Sequence, residues 1–163
     1  MKALIIYDSL YGNTEQIAKA MVTALGKEAK AVRVGAVKDA DITSHSLIII
    51  GSPTQGGRPT IATKAFLDGL TADKLTDKRF AAFDTRLRGI FPKVFGWAAD
   101  RIEKAIREKG GNTTAQPQGF FVKSAKGPLV EGELERATTW AKAATAGVPT
   151  NLMSGDYKVK TKE

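Results

Sequence analysis

The hydrophobic positions of this chain fall into short continuous runs and longer amphipathic stretches that alternate along its length. Residues 2–7 read as a short strand, apolar from Ala3 to Tyr7. A run this short, with no polar alternation, is the pattern of a strand covered on both faces. A Gly-containing loop follows, and then apolar residues recur at helical spacing from Thr14 to Lys27. Lys30-Ala31-Val32-Arg33-Val34-Gly35 alternates, as a strand near a sheet edge does. Residues 46–50 form another continuous apolar run, ended by Gly51. Residues 60–70 predict a helix with Pro59 near its start. Arg79 to Phe83 is a fourth apolar run. A long helix is predicted over Lys93 to Lys109, stopped by Gly110-Gly111. Residues 119–123 predict a fifth strand, and Leu129 to Ala146 a last helix. The polar stretch Gly147 to Glu163, with Lys158, Lys160 and Lys162, reads as a flexible tail beyond a domain of residues 1–146.

Strand and helix alternating in this way predict an α/β fold, a parallel sheet with helices on both faces. In such sheets ligands bind outside the carboxyl ends of the strands, where the strand order reverses. The loops after the first, third and fourth strands are therefore the ones that carry candidate chemistry.

Composition narrows the chemistry. A chain of 163 residues with 42% hydrophobic and 26% charged residues suits one globular domain. No apolar run approaches the roughly 18 residues a membrane span needs. There is no cysteine, which excludes disulfides, thiolate metal sites and a cysteine nucleophile, and a single histidine, His45. No Ser/His/Asp arrangement or paired-carboxylate geometry can be built. Redox chemistry would need a borrowed cofactor. The N-terminus lacks the pattern of a signal peptide, so a cytoplasmic location is expected. The formal net charge of +8 favours anionic partners. No nucleic-acid motif accompanies it, and the cations of the helix at 93–109 are interleaved with Asp100, Glu103 and Glu108, as on a solvated face.

The loop after the first strand reads Asp8-Ser9-Leu10-Tyr11-Gly12-Asn13-Thr14-Glu15 and runs straight into a helix. Hydroxyls, an amide and backbone N–H groups converge there, Gly12 permits close approach, and the helix dipole attracts an anion. This reads as a cradle for a monophosphate. The dinucleotide fingerprint and the Walker loop are both absent. An ordinary helix start capped by Ser9 or Asn13 is the plainer alternative. Asp8, a carboxylate beside a phosphate cradle, is expected to point away from it.

Residues 5–22 resemble the flavodoxin signature. Ile5-Ile6-Tyr7, Ser9, Gly12, Thr14 and Ala18 all fall at its positions, while Met21 stands where it wants an aliphatic residue. Gly51-Ser52-Pro53-Thr54 followed by Phe66-Leu67 also resembles flavodoxins and the flavodoxin modules of flavodiiron proteins. The resemblance implies a three-layer sandwich with a five-stranded parallel sheet of order 2-1-3-4-5, in the short-chain form, and FMN as cofactor. It implies that Ser9, Leu10, Tyr11, Gly12, Asn13 and Thr14 wrap the FMN phosphate. It implies that Ser52, Pro53, Thr54, Gln55, Gly56 and Gly57 border the isoalloxazine ring. By position in the fourth loop, Asp84, Thr85 and Arg86 cover its other side. The chain departs from the family in two places. Tyr11 stands where many members have Thr, and the third loop lacks the aromatic that commonly stacks on the ring, leaving Gln55 or Arg58 to cover that face.

The function so implied is an electron carrier with no catalytic residues of its own, shuttling electrons between redox proteins. The positive surface would select partners with acidic docking surfaces, and a monomer is expected. The alternative is an FMN-dependent reductase taking hydride from NADH or NADPH and passing it to a quinone, with Arg58, Arg86 and Arg88 holding the donor's phosphates. One-electron reduction of a flavin adds a proton at N5, which wants an acceptor. A carbonyl at Gly56 or Gly57 is the candidate, because glycine lets the peptide swing. Arg86 and Arg88 near the ring would make the second reduction potential less negative than in acidic flavodoxins. Phe91 is a further candidate for stacking. Trp97 and Trp140 fall on helical faces and are expected in the core, and His45 on a surface turn.

Overall fold

A computed structural model describes residues 2–89 and 96–147. The strands are β1 (Ala3–Tyr7), β2 (Ala29–Arg33), β3 (Leu47–Pro53), β4 (Arg79–Leu87), β5 (Asn112–Thr113) and β6 (Gln118–Val122). The helices are α1 (Asn13–Leu25), α2 (Asp39–Ser44), α3 (Ile61–Asp68), α4 (Ala72–Leu75), α5 (Ala98–Glu108) and α6 (Glu133–Ala146). All strand pairs are parallel, in the order β2-β1-β3-β4-β5, with β6 also pairing β4.

The predicted order 2-1-3-4-5 holds, with one refinement. The fifth position is shared by two segments. β5 pairs with Arg79 and Phe80 at the start of β4, and β6 pairs with Phe83 to Leu87 at its end. Pro117 lies in the gap, where it has no N–H for a ladder. The free edge of β6 is covered by its own return. Lys123 donates to the Pro128 carbonyl, Val130 donates to the Phe121 carbonyl, and the Phe121 N–H reaches Glu133 Oε2 at 2.7 Å.

The period of two along the strands builds two cores. Ala3, Ile5, Tyr7, Leu47, Ile49, Ala81, Phe83 and Phe120 face α1 and α6, meeting Ile17, Met21, Trp140 and Ala141. Leu4, Ile6, Ile48, Ile50, Phe80 and Ala82 face the other side, against Leu67, Ile102 and Ile106 of α3 and α5. Phe83, Phe120 and Trp140 form an edge-to-face trio with centroids 6.0–6.4 Å apart. Gly51 is required beside it, since a Cβ there would lie 2.0 Å from the Phe83 ring.

β4 runs four residues past its predicted end, so Asp84 to Leu87 are strand rather than loop. The short helices α2 and α4 carry a single buried apolar residue each, Ile42 and Leu75, too little periodicity to predict them. His45 ends α2 and its Nδ1 lies 2.6 Å from the Asp41 carbonyl oxygen. Phe91 and the tail from Val148 onward lie outside the described residues. Among those described, no helix is long and apolar enough to cross a membrane.

Candidate functional site

A cleft of about 330 Å³ opens at the carboxyl ends of β1, β3, β4 and β6. Its first wall is the β1–α1 loop, with Ser9, Leu10, Tyr11, Asn13 and Thr14 lining it. Here α1 begins after Gly12, whose φ of 91° requires glycine and which has no side chain to cap with. Gly12, not Ser9 or Asn13, thus holds the cap position. The Ser9 hydroxyl, from inside the loop, accepts from Gly12 N–H at 3.1 Å and, at 3.4 Å, from the first-turn Glu15 N–H. Asp8 does turn away. Its carboxylate accepts from Ser9 N–H and the Thr60 hydroxyl and pairs with Arg33, which in turn donates to the Ser9 carbonyl at 2.9 Å. Behind the loop, Tyr7 donates to Glu15, which also meets Lys19. These contacts hold the Glu15 carboxyl below its usual range, the Tyr7 bond being the largest cause. Burial, and then that same bond, pushes the Tyr7 hydroxyl up.

The second wall is the β3–α3 loop, with Pro53, Thr54, Gln55, Gly56 and Gly57 in the lining. Gln55 and Arg58 exchange both backbone hydrogen bonds around Gly56 and Gly57, whose φ values of 54° and 78° mark a type I′ turn. Thr54 N–H donates to the Thr85 carbonyl, tying this wall to β4. Ser52 is fully buried and does not reach the cleft; its hydroxyl accepts from Thr60 N–H and donates to the Pro53 carbonyl.

The third wall comes from the end of β4 and the start of α5: Thr85, Arg86, Leu87, Gly96 and Trp97. Thr85 and Thr14 share a buried hydrogen bond of 2.8 Å, which joins the first wall to the third. Asp84 lies behind this wall, fully buried. It takes both arms of Arg86, at 2.7 and 2.8 Å, and Ala99 N–H at 2.9 Å. Burial pushes its carboxyl up, and the Arg86 guanidinium and the Ala99 N–H pull it back. Arg86 stacks on Trp97, 3.8 Å from the ring centroid, and its flank is open only because residue 119 is glycine. A Cβ on Gly119 would lie 2.1 Å from Arg86 Nε. Two expectations change here. Trp140 is core, but Trp97 is a wall of the cleft. Arg86 is also balanced by Asp84, whereas Arg88, stacked over Phe121 at 4.8 Å, meets no carboxylate among the described residues.

A fourth wall was not predicted: Val122 and Ala125 from the connection after β6. Gly127 in this connection lies against Asn13, where a Cβ would come within 2.5 Å of the amide oxygen. The Gly127-Pro128 dipeptide in the turn after β6 was the signal available. For Trp97 no signal was available, since an aromatic inside a predicted helix reads as core.

Family comparison decides the identity. The family model described as Flavodoxin matches residues 5–146. The chain belongs to the flavodoxin family. No curated protein matches it by sequence. Among solved structures, a flavodoxin from the domain Archaea superposes with a TM-score of 0.74 at 21% identity, covering 90% of this chain and 99% of its own. Oxidised Flavodoxin 1 from Bacillus cereus gives 0.72 at 20% identity, covering 90% and 98%. Rubredoxin oxygen:oxidoreductase from Desulfovibrio gigas gives 0.64 at 22% identity, covering 89% of this chain and 36% of that one. These likenesses bear on the fold. The flavodoxin cofactor is FMN, and the chain is an FMN-binding electron-transfer flavoprotein.

The residues present fit that cofactor. The α1 N-terminus offers Gly12 and Glu15 N–H groups that are occupied only by the Ser9 hydroxyl. Among the described residues, no carboxylate lines the cleft. The cleft is within the range of small-molecule sites, and most of its lining is apolar or glycine, as a planar ring needs.

Proposed function

We propose that the chain is a one-electron carrier working between redox proteins, with the β1–α1 loop as its phosphate cradle and the other walls holding the ring. When bound, FMN supplies the redox chemistry and the protein supplies position and electrostatics. Ser9, Gly12, Asn13 and Thr14 bind the phosphate through hydroxyl, amide and backbone donors at the start of α1. Leu10 and Tyr11 close the mouth. Pro53, Thr54, Gln55, Gly56 and Gly57 border the ring on one side, and Thr85 and Arg86 on the other. Ser52 and Asp84 act from behind the walls, Ser52 by holding the β3–α3 loop and Asp84 by aiming Arg86. Trp97 supplies an aromatic wall in a site whose third loop lacks one.

The observation that carries this reading is the Ser9 hydroxyl held among the first N–H groups of α1, at the switch between β1 and β3. The Gly56–Gly57 turn adds to it. A type I′ turn becomes type II′ by rotating its central peptide, and glycine at the first central position suits both. That rotation turns a carbonyl end for end, as acceptance from a proton at N5 demands. Net charge favours partners with acidic surfaces.

Stepwise reduction of the FMN-loaded protein, followed by absorbance, tests the reading. We expect a one-electron-reduced form near the midpoint. Direct passage to the two-electron form, with rapid oxidation of NADH or NADPH by the loaded protein alone, would replace the carrier with the reductase. Gly56→Ala and Gly57→Ala should shift the separation of the two one-electron potentials. If neither does, the turn has no part in the proton's reception.

A further inference from the structure

Among the described residues, the large hydrophobic side chains that stay exposed are Leu10, Tyr11, Ile61, Leu87 and Leu134. All of them lie at one end of the molecule. Leu10 and Tyr11 are in the β1–α1 loop, Leu87 ends β4, and Ile61 and Leu134 stand at the starts of α3 and α6. Strands end and helices begin on this side, which is the side of the cleft.

Unpaired cations stand around the cleft at this same end. Arg58, Arg88, Lys123 and Lys126 each directly follow a cleft-lining residue, namely Gly57, Leu87, Val122 and Ala125. All of them are exposed, and none meets a carboxylate among the described residues. Arg88 lies over Phe121, and Lys126 Nζ lies 6.0 Å from the Tyr11 ring centroid. The carboxylates adjoining lining residues are all engaged: Asp8 and Glu15 with Arg33, Asp84 with Arg86. Asp100, Glu131 and Glu135 are exposed at this end, but lie three or more residues along the chain from any lining residue. Elsewhere on the surface, Lys30 pairs with Asp41, Lys64 with Asp68, Lys74 with Asp39 and Lys104 with Glu108, while the exposed Lys2, Lys27 and Lys142 meet no carboxylate among the described residues and lie away from the cleft.

We propose that the cleft end is a docking face for a redox protein that presents carboxylates around an apolar centre over its own redox group. The proposal rests on the carrier reading above and names the partner's chemistry for that site. An apolar middle with a charged rim is the anatomy of a transient interface. Unpaired cations around the mouth speed encounter with an acidic partner and repel a basic one. A second copy of this chain would bring the same cations to the contact, so the face is not built for self-association.

Electron transfer to two soluble cytochromes tests this, with acidic cytochrome b5 and basic cytochrome c as the probes. Each ferric haem takes one electron from the reduced, FMN-loaded protein and becomes ferrous. The rate with cytochrome b5 should fall as salt rises, and the rate with cytochrome c should rise. Changing Arg58, Arg88, Lys123 and Lys126 together to Gln should lower the low-salt rate with cytochrome b5 about tenfold and flatten its salt dependence. Changing Lys2, Lys27, Lys104 and Lys142 to Gln removes the same charge away from the face and should leave the rate within twofold. Equal losses in the two variants would overturn the proposal, since net charge alone would then act. Sedimentation of the loaded protein with phosphatidylglycerol vesicles at physiological salt, lost in the first variant, would also overturn it, by assigning the face to a membrane. Failure to bind FMN, seen before mixing, overturns the carrier reading instead and the docking proposal with it.

Discussion

The wall at the start of α1 and the wall facing it are built in opposite ways. The first is local. Ser9 to Thr14 lie in one unbroken stretch, and the contacts inside the loop, Ser9 with Gly12 and Glu15, span no more than six residues, with Arg33, Thr85 and Gly127 bracing it from outside. The facing wall is assembled from Thr85 to Leu87, Gly96 and Trp97, and Val122 and Ala125. Its central contact, Arg86 in a slot between Trp97 and Gly119, joins three segments of the chain. A wall whose inner contacts are local costs little to order. An assembled wall depends on the fold, and its errors propagate into the core. Substitutions there should therefore damage stability more than substitutions in the loop.

Arg86→Met should have the largest effect. It leaves Asp84 fully buried without its partner, which costs about 3–5 kcal/mol in comparable sites. Urea unfolding at neutral pH measures it. Adding Asp84→Asn to the same chain should recover more than half of the loss, because the uncompensated charge is then gone. A loss below about 1 kcal/mol in the single variant would mean that the wall does not depend on this pair. Thr85→Val comes next. It strands the Thr14 hydroxyl in a buried position and should cost about 1–3 kcal/mol. A double-mutant cycle with Thr14→Val should show a coupling of about 1 kcal/mol. No coupling would mean that the two walls stand independently.

This contrast also sets what the sequence could reveal. The strands and the two-sided cores were legible because each is written in short-range pattern, apolar runs and period two, whereas the strand order came with the flavodoxin resemblance, carried by a motif of consecutive residues. Gly119 illustrates the opposite case. Nothing in Gln118-Gly119-Phe120 announces that an arginine thirty-three positions earlier needs the space of a Cβ there. Trp97 was misplaced for the same reason. An aromatic near a helix start reads as core unless the position of Arg86 is known. The β5–β6 division hid behind a strand of two residues, too short to carry a pattern.

Ser9→Ala probes the local wall. The loop loses the acceptor for Gly12 and Glu15 N–H and should be destabilised by about 1 kcal/mol, as a lost cap is. The functional effect should be larger than the structural one. FMN affinity should fall about tenfold, one charge-assisted hydrogen bond's worth, with riboflavin affinity unchanged because riboflavin has no phosphate. Equal losses for both ligands would place Ser9 against the ring or show the loop to be collapsed.

The smallest effect should come from the clasp behind that loop. Tyr7 and Lys19 hold the Glu15 carboxyl below its usual 4.5, so its folded value is the lower one. The unfolded chain then binds a proton first as pH drops, and stability from this group is present above 4.5 and lost as pH falls through the depressed folded value. The same bond acts in reverse at the alkaline end. Burial first, and then Glu15, raises the Tyr7 hydroxyl above 10.0, so its contribution is present below that pH and lost as pH rises past it. Glu15→Gln should therefore flatten the acid side of the stability profile and lower stability at neutral pH by the same small amount, since Glu15 is partly open to solvent and Lys19 largely so, which screens the pair. Denaturant titrations across the acid range measure the slope. A Glu15→Gln slope equal to that of the parent would mean that the clasp is made equally well in the unfolded chain, as a contact confined to neighbouring residues could be, and that even the local wall owes its shape to the sheet beneath it.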